Sequence, residues 1–282
     1  MSVLSIQSQV AYGHVGNSAA AFPLQHLGFE VWQVPTVVLS NHPGHGKTAG
    51  RVTPAGELAE LIDGIAALGV LKDCRAILSG YLGDAENGAV LLEAVGRARA
   101  ENPAAIWLCD PVIGDAHTGV YVRDGIPDFF RDQASAAANM LTPNQFELQT
   151  LTGMALKSLE DVAAACAELY RRGGTTVVCT SVTAGLPNKQ IGVFAFDGTA
   201  AWLASTSRLK DVPHGGGDLL SALLLAHLLK GADLPTAVET AVRSTYSVIA
   251  KSDDARSREL LLIDERQDLL APSVPIEFRQ VL

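Results

Sequence analysis

Short apolar, β-branched segments alternate with longer helix-patterned ones along most of this chain. Residues 3–6, 31–39, 76–79, 105–109 and 176–180 read as strands, with a short one at 137–141 and a hairpin pair at 191–196 and 200–204. Helical patterns cover 18–27, 54–68, a segment ending near Glu101, 145–151, 158–172, 218–229 and 234–251. Gly28 suits a helix end, Pro54 a first turn, and Ser158 with Asp161 a capping-box-like start. Parallel strands need crossovers, and helices supply them, so this order predicts a doubly wound α/β/α sandwich with a mostly parallel central sheet.

Ligands of such sheets lie beyond the carboxyl ends of the strands. The polar and glycine-rich clusters at 7–16, 80–84, 110–115 and 142–147 follow predicted strands, which favours an enzyme over a scaffold. Residues 41–53 hold three glycines, Pro43 and two histidines, and read as a mobile loop or small flap. Residues 113–125 look loop-like, and the tail from Pro272 looks irregular.

Composition narrows the class. The 282 residues suit one large domain or two tightly joined ones, and we expect a single domain over 1–282. Apolar residues make up 48%, enough for a sizeable core, while aromatics at 6% favour helices on a sheet over an all-β fold. A net charge of −9 argues against nucleic acid, which needs clustered lysine and arginine. The amino terminus lacks a basic segment followed by an apolar core, and the longest apolar run, 219–229, is too short to span a bilayer. Cys74, Cys109, Cys166 and Cys179 form no CxxC pair and read as buried thiols of a reducing compartment, so the expected location is the cytoplasm, with no membrane partner.

Three motifs can carry chemistry. In His214-Gly215-Gly216-Gly217-Asp218, glycines precede an apolar helix whose first N–H groups could hold phosphate oxygens, with Asp218 reaching a substrate hydroxyl. The bland reading is a turn with a capping aspartate. In Thr142-Pro143-Asn144-Gln145-Phe146-Glu147, Asn144 and Glu147 stand three apart; they could face a water-coordinated Mg²⁺ or form a helix-cap pair. Asp110, in Asp110-Pro111-Val112-Ile113-Gly114-Asp115, follows a strand directly, where it could meet a metal or ligand or cap the loop.

Two decoys fall away. Gly46-Lys47-Thr48 has Asn41 where a P-loop needs its first glycine, and no helix pattern follows. His42 and His45 lack the further ligands that zinc requires.

Taken together, the segments resemble the pyridoxal kinases of the ribokinase-like superfamily, most closely the short bacterial salvage form. The likeness covers nearly the whole chain: Leu4-Ser5-Ile6-Gln7-Ser8, Ala11-Tyr12-Gly13-His14-Val15-Gly16-Asn17, Ser40-Asn41-His42, Ser79-Gly80-Tyr81, Cys109-Asp110-Pro111-Val112 and the 142–147 motif. The resemblance implies ATP-dependent phosphorylation of the 5′-hydroxyl of pyridoxal. It implies a pyridoxal site of Ser8, Tyr81 and the flap at His42, Pro43 and Gly44, with Asp218 receiving or orienting the hydroxyl proton. ATP would lie across Asp110, Thr142, Glu147, Thr180 and the segment Ser207, Arg208, Leu209, Lys210, Asp211 and Val212. The N–H groups of Gly215, Gly216 and Gly217 would face the transferred group. Asp110 and Glu147 would act through Mg²⁺, with K⁺ a further candidate ion, and the resemblance also implies a homodimer. Three positions depart from the pattern: Gly216 where threonine or a small apolar residue is usual, Gln9 where histidine is common and Pro43 where threonine is frequent. Alternative readings are a hydroxymethylpyrimidine kinase of the same fold and a weakly catalytic pyridoxal phosphate carrier.

Overall fold

The computed structural model describes residues 1–272 and 274–282. In chain order the elements are β1 (Ser2–Tyr12), α1 (Asn17–His26), β2 (Glu30–Asn41), β3 (Gly50–Val52), α2 (Ala55–Ala67), β4 (Cys74–Ser79), α3 (Glu86–Glu101), β5 (Ile106–Cys109) and a small hairpin of β6 (Gly114–Asp115) and β7 (Gly119–Val120). Next come α4 (Ile126–Phe129), a π turn (Phe130–Ala134), α5 (Ser135–Ala137), β8 (Met140–Leu141), α6 (Gln145–Thr152) and α7 (Leu159–Gly173). The chain closes with β9 (Thr176–Val182), β10 (Gln190–Phe196), β11 (Ala201–Ser207), α8 (Gly216–Leu229), α9 (Leu234–Asp254) and β12 (Glu277–Gln280).

Ten of these strands form one sheet in the order β12-β11-β10-β9-β8-β5-β4-β1-β2-β3. The six strands from β9 to β2 run parallel, and antiparallel strands extend both edges. Helices cover both faces, so the inner strands are buried on each side and read as continuous apolar runs. The pleat divides the core: Leu4, Ile6, Ile77, Trp107 and Cys109 pack with α2, α3 and α7, while Val3, Ala76, Leu78 and Leu108 pack with α1, α8 and α9. The stretch 219–226 of α8 is buried all round, since it lies between the sheet, α1 and α9. All four cysteines are free and buried. Among the described residues, no helix is long and apolar enough to cross a membrane.

Several boundaries differ from expectation. β1 continues six residues past Ile6, to Tyr12, because β2 also extends to Asn41 and pairs with it. The flap carries regular structure: Pro43–His45 form a 3₁₀ turn, and Gly50–Val52 add an edge strand to β2. Pro54 is the N-cap of α2 rather than part of its first turn. Of the expected strand at 137–141, only Met140–Leu141 pair; Ala137 ends a helix that the pattern did not announce. The supposed loop at 113–125 contains the β6–β7 hairpin. The tail supplies a strand, since β12 pairs antiparallel with β11.

Candidate active site

The carboxyl ends of β1, β4, β5, β8 and β9 line up with the start of α8, and the chemically interesting residues gather there. Asp110 follows β5 directly, its N–H donating to the Ser79 carbonyl at 2.8 Å. Thr142 follows β8, and its hydroxyl lies 2.9 Å from that of Ser221 on α8. Either hydroxyl of the Thr142–Ser221 pair can be the donor. Ser221 in turn lies beside the Asp110 carboxyl group, whose pKa it lowers against the larger upward push of burial. No sequence signal marked Ser221, which looks like one more small residue in an apolar helix.

Glu147 is buried, and both its oxygens are engaged. Oε2 accepts from the Asn144 N–H at 2.8 Å; Oε1 accepts from the N–H groups of Ile113 at 2.9 Å and Gly114 at 3.4 Å. Asn144 Oδ1 accepts from the Glu147 N–H at 2.9 Å, completing a capping box, while Asn144 Nδ2 donates to the Gly114 carbonyl at 2.8 Å. The cap-pair geometry is therefore present, and it ties the β6–β7 hairpin to α6. A carboxylate has about four lone-pair sites, so these three N–H donors leave capacity for a water or ion.

Asp218 sits in the first turn of α8, at the positive end of the helix. Burial raises its pKa to about 6, and the backbone of Gly16 opposes the shift. Burial, then the charges of Glu147 and Asp218, hold Asp110 well above the usual carboxylate range. Burial also raises Glu147, against the pull of its three N–H donors. Asp110, Glu147 and Asp218 thus share one electrostatic field in which ionisation is disfavoured, but among the described residues no three acidic, histidine or cysteine side chains stand close enough together to hold a metal ion. Tyr121, just after β7, belongs to the same field. Burial and the charges of Glu147, Asp110, Asp115 and Asp218 raise its phenol pKa. Sequence reasoning passed over it as a loop residue.

The glycine turn is built tightly. Gly215 caps α8 with φ 96°, and a Cβ there would lie 1.9 Å from the His14 carbonyl oxygen. Gly216 and Gly217 are helical; a Cβ on Gly217 would come 3.8 Å from Asp110 Oδ2, so this helix start borders the carboxylates.

Among the residues expected to hold pyridoxal, Ser8 lies beneath Gly16, where a Cβ would be 2.4 Å from Ser8 Oγ. The Tyr81 carbonyl accepts from Thr36 Oγ1 at 2.5 Å, and burial raises the Tyr81 phenol pKa. The flap closes onto the glycine turn: the rings of His42 and His214 lie 3.9 Å apart, and a Cβ on Gly44 would sit 2.7 Å from His214 Nε2. Burial, then His214, lowers the His42 pKa to about 4, so this contact joins neutral rings at neutral pH. Pro43 opens the flap's 3₁₀ turn. Thr180 is bonded through its N–H to the Pro143 carbonyl at 2.8 Å, beside the 142–147 motif. Ser207 ends β11, and Arg208, Lys210, Asp211 and Val212, with partly buried Leu209, form the connection towards His214. A hydrogen bond joins Thr142 to Ser221, which lies beside Asp110, while among the described residues no hydrogen bond ties 207–212 to that cluster.

The fold, with these carboxyl groups gathered at a glycine-rich helix start, defines a small-molecule kinase of the ribokinase-like class. A family model described as phosphomethylpyrimidine kinase matches residues 62–259. A pyridoxal kinase of Rubrobacter xylanophilus is 46% identical, covering 100% of this chain and 98% of its own length; one from Granulibacter bethesdensis is 44% identical, covering 97% of each. The solved pyridoxal kinase of Leishmania donovani, in complex with ADP and pyridoxamine, superposes with a TM-score of 0.93 at 27% identity, covering 100% of this chain and 99% of that one. This chain belongs to the pyridoxal kinase family.

Proposed function

We propose that this protein transfers the γ-phosphoryl group of ATP to the 5′-hydroxyl of pyridoxal, giving pyridoxal 5′-phosphate in vitamin B6 salvage. The observation that carries this reading is the position of Asp218: its carboxyl group stands at the glycine-rich start of α8, with its pKa raised to about 6, beside buried Asp110. A carboxylate of that basicity is still ionised at neutral pH, yet is a better proton acceptor than an ordinary aspartate.

In this reading Asp218 receives or orients the proton of the 5′-hydroxyl. Ser8 bonds the polar edge of the pyridine ring, Tyr81 packs near its face, and His42, Pro43 and Gly44 cover it. The N–H groups of Gly215, Gly216 and Gly217 face the transferring phosphoryl oxygens, where backbone donors and the helix dipole offset charge. ATP lies along Asp110, Thr142, Glu147, Thr180 and the 207–212 segment. Asp110 and Glu147 hold Mg²⁺ largely through waters; the ion offsets phosphate charge and aligns the donor, which is most of what phosphoryl transfer needs. K⁺ as a second ion, a homodimer, a single kinase domain over 1–282 and a cytoplasmic location complete the proposal.

The family-model match supports a second reading, a hydroxymethylpyrimidine kinase. Residues 62–259 include the phosphate-side residues but exclude Ser8 and the flap, which would discriminate between acceptors. The full-length likeness to pyridoxal kinases favours pyridoxal. An ATP-dependent assay on pyridoxal, pyridoxine, pyridoxamine and hydroxymethylpyrimidine tests both. Preference for the pyrimidine would overturn the first reading, while tight pyridoxal phosphate binding without turnover would indicate a carrier.

A further inference from the structure

The flap has an anchor that takes no part in the proposed phosphoryl transfer. Glu259 lies beyond α9, in a turn held by Ser257, whose hydroxyl donates to the Glu259 carbonyl at 2.7 Å. Its carboxylate bridges two loops: Oε2 accepts from the His14 N–H at 2.8 Å, and Oε1 pairs with Nε2 of His45 on the flap. Both side chains of that pair are largely buried, at 13% exposure for His45 and 16% for Glu259, so solvent screens the contact less than an ordinary surface pair.

The surroundings are shaped to this carboxylate. Gly13 has φ 97°, and a Cβ there would come 2.4 Å from Glu259 Oε1. The Tyr12 ring meets His45 edge-on at 5.8 Å. The next residue, buried Leu260, touches the glycine turn, since a Cβ on Gly215 would be 3.2 Å from Leu260 Cδ1. One short turn therefore supports both the flap and the phosphate-facing helix start.

We propose that Glu259 is a positioning residue that latches the flap, through His45, over the acceptor side of the cleft. The latch acts on admission and retention of the alcohol, while the nucleotide-side residues Asp110, Thr142 and Glu147 lie on the far strands. The kinetic consequence rests on the kinase reading; the structural one does not.

Two measurements on the full chain test this, using Glu259→Ala, His45→Ala and the double variant. In hydrogen exchange without substrates, each single variant is expected to speed exchange of amides 44–48 by about tenfold or more, with β4 and β5 unchanged. The double variant is expected to add less than about threefold to Glu259→Ala, because that substitution already removes the contact His45→Ala breaks. In steady-state assays of His45→Ala, which leaves the Glu259–His14 contact in place, KM for the acceptor is expected to rise several-fold, with kcat and KM for ATP within about twofold. Flap exchange within about twofold of the parent, additive effects, or equal rises in both KM values would each overturn the latch. Faster flap exchange in a protein without kinase turnover would instead reject the kinase reading and keep the latch. If Glu259→Ala fails to fold, His45→Ala breaks the same contact from the flap side and carries the test.

Discussion

Gly215 and His14 stand so close that no side chain fits between them: a Cβ on Gly215 would lie 1.9 Å from the His14 carbonyl oxygen. The turn after β1 and the start of α8 are thereby joined backbone to backbone. The glycine at this position is required twice, by that approach and by its φ of 96°.

Neighbouring glycines should therefore respond in opposite ways. Gly215→Ala is expected to cut turnover by about tenfold or more and to lower the melting temperature, because it combines backbone strain with a clash. Gly216 is helical and has no positive φ, and its Cβ would press only on the flexible end of Ile249, 3.0 Å away. In the proposed kinase reading, Gly216→Thr would supply a hydroxyl beside the transferring group, worth about 1.5–3 kcal/mol if fully formed and less after rotamer cost. The expected result is a several-fold rise in turnover with pyridoxal affinity little changed. Steady-state kinetics at saturating ATP and magnesium decide it, and slower turnover would reject the missing-hydroxyl idea.

Asp218→Asn should separate chemistry from binding. Turnover is expected to fall by roughly 10² or more, while ATP and pyridoxal still bind. Stability should move the other way. The folded pKa of Asp218 is raised, so its stabilising influence is complete below the unfolded value and is lost as pH rises through about 6. The asparagine variant should thus melt higher than the parent at pH 8 and no higher at pH 4. Thermal melts at the two pH values, beside calorimetric titrations, check both halves.

The same raised pKa predicts the acid limb of the rate profile. If Asp218 must be ionised to act, kcat/KM should climb with pH through about 6 and then level off. Asp218→Asn should lose that limb. A profile unchanged by the substitution would move the titration to another group.

Glu147→Gln replaces a carboxylate that accepts three N–H donors by an amide with one acceptor oxygen. A higher Mg²⁺ requirement for half-maximal rate is expected. A magnesium titration superimposing on the parent's, together with a lowered melting temperature, would leave Glu147 as a cap alone.

Much of this architecture was legible before any coordinates. The alternation of apolar and helical segments led to the α/β/α sandwich, since local periodicity follows from which faces must be buried. The glycine run before Asp218 and the polar clusters after four of the strands marked the candidate functional edge for the same local reason. Long-range pairing was harder to read. β12 exists because β11 offers it an unpaired edge, and β1 outlasts its apolar residues because β2 runs beside it to Asn41. The π turn at Phe130–Ala134 likewise has no distinctive residue pattern.

At the site the division is sharper. The sequence alone determined which residue types stand at the strand ends and at the start of α8: Asp110, Thr142, Glu147, the three glycines and Asp218. Only the tertiary structure brought Asp110, Glu147 and Asp218 into one field, inserted Ser221 between Thr142 and Asp110, and carried Glu259 back to the flap across more than two hundred residues. The physical reason is that proton affinity and hydrogen bonding depend on burial and on distance in space. Neither can be read from spacing along the chain once the partners lie on different elements.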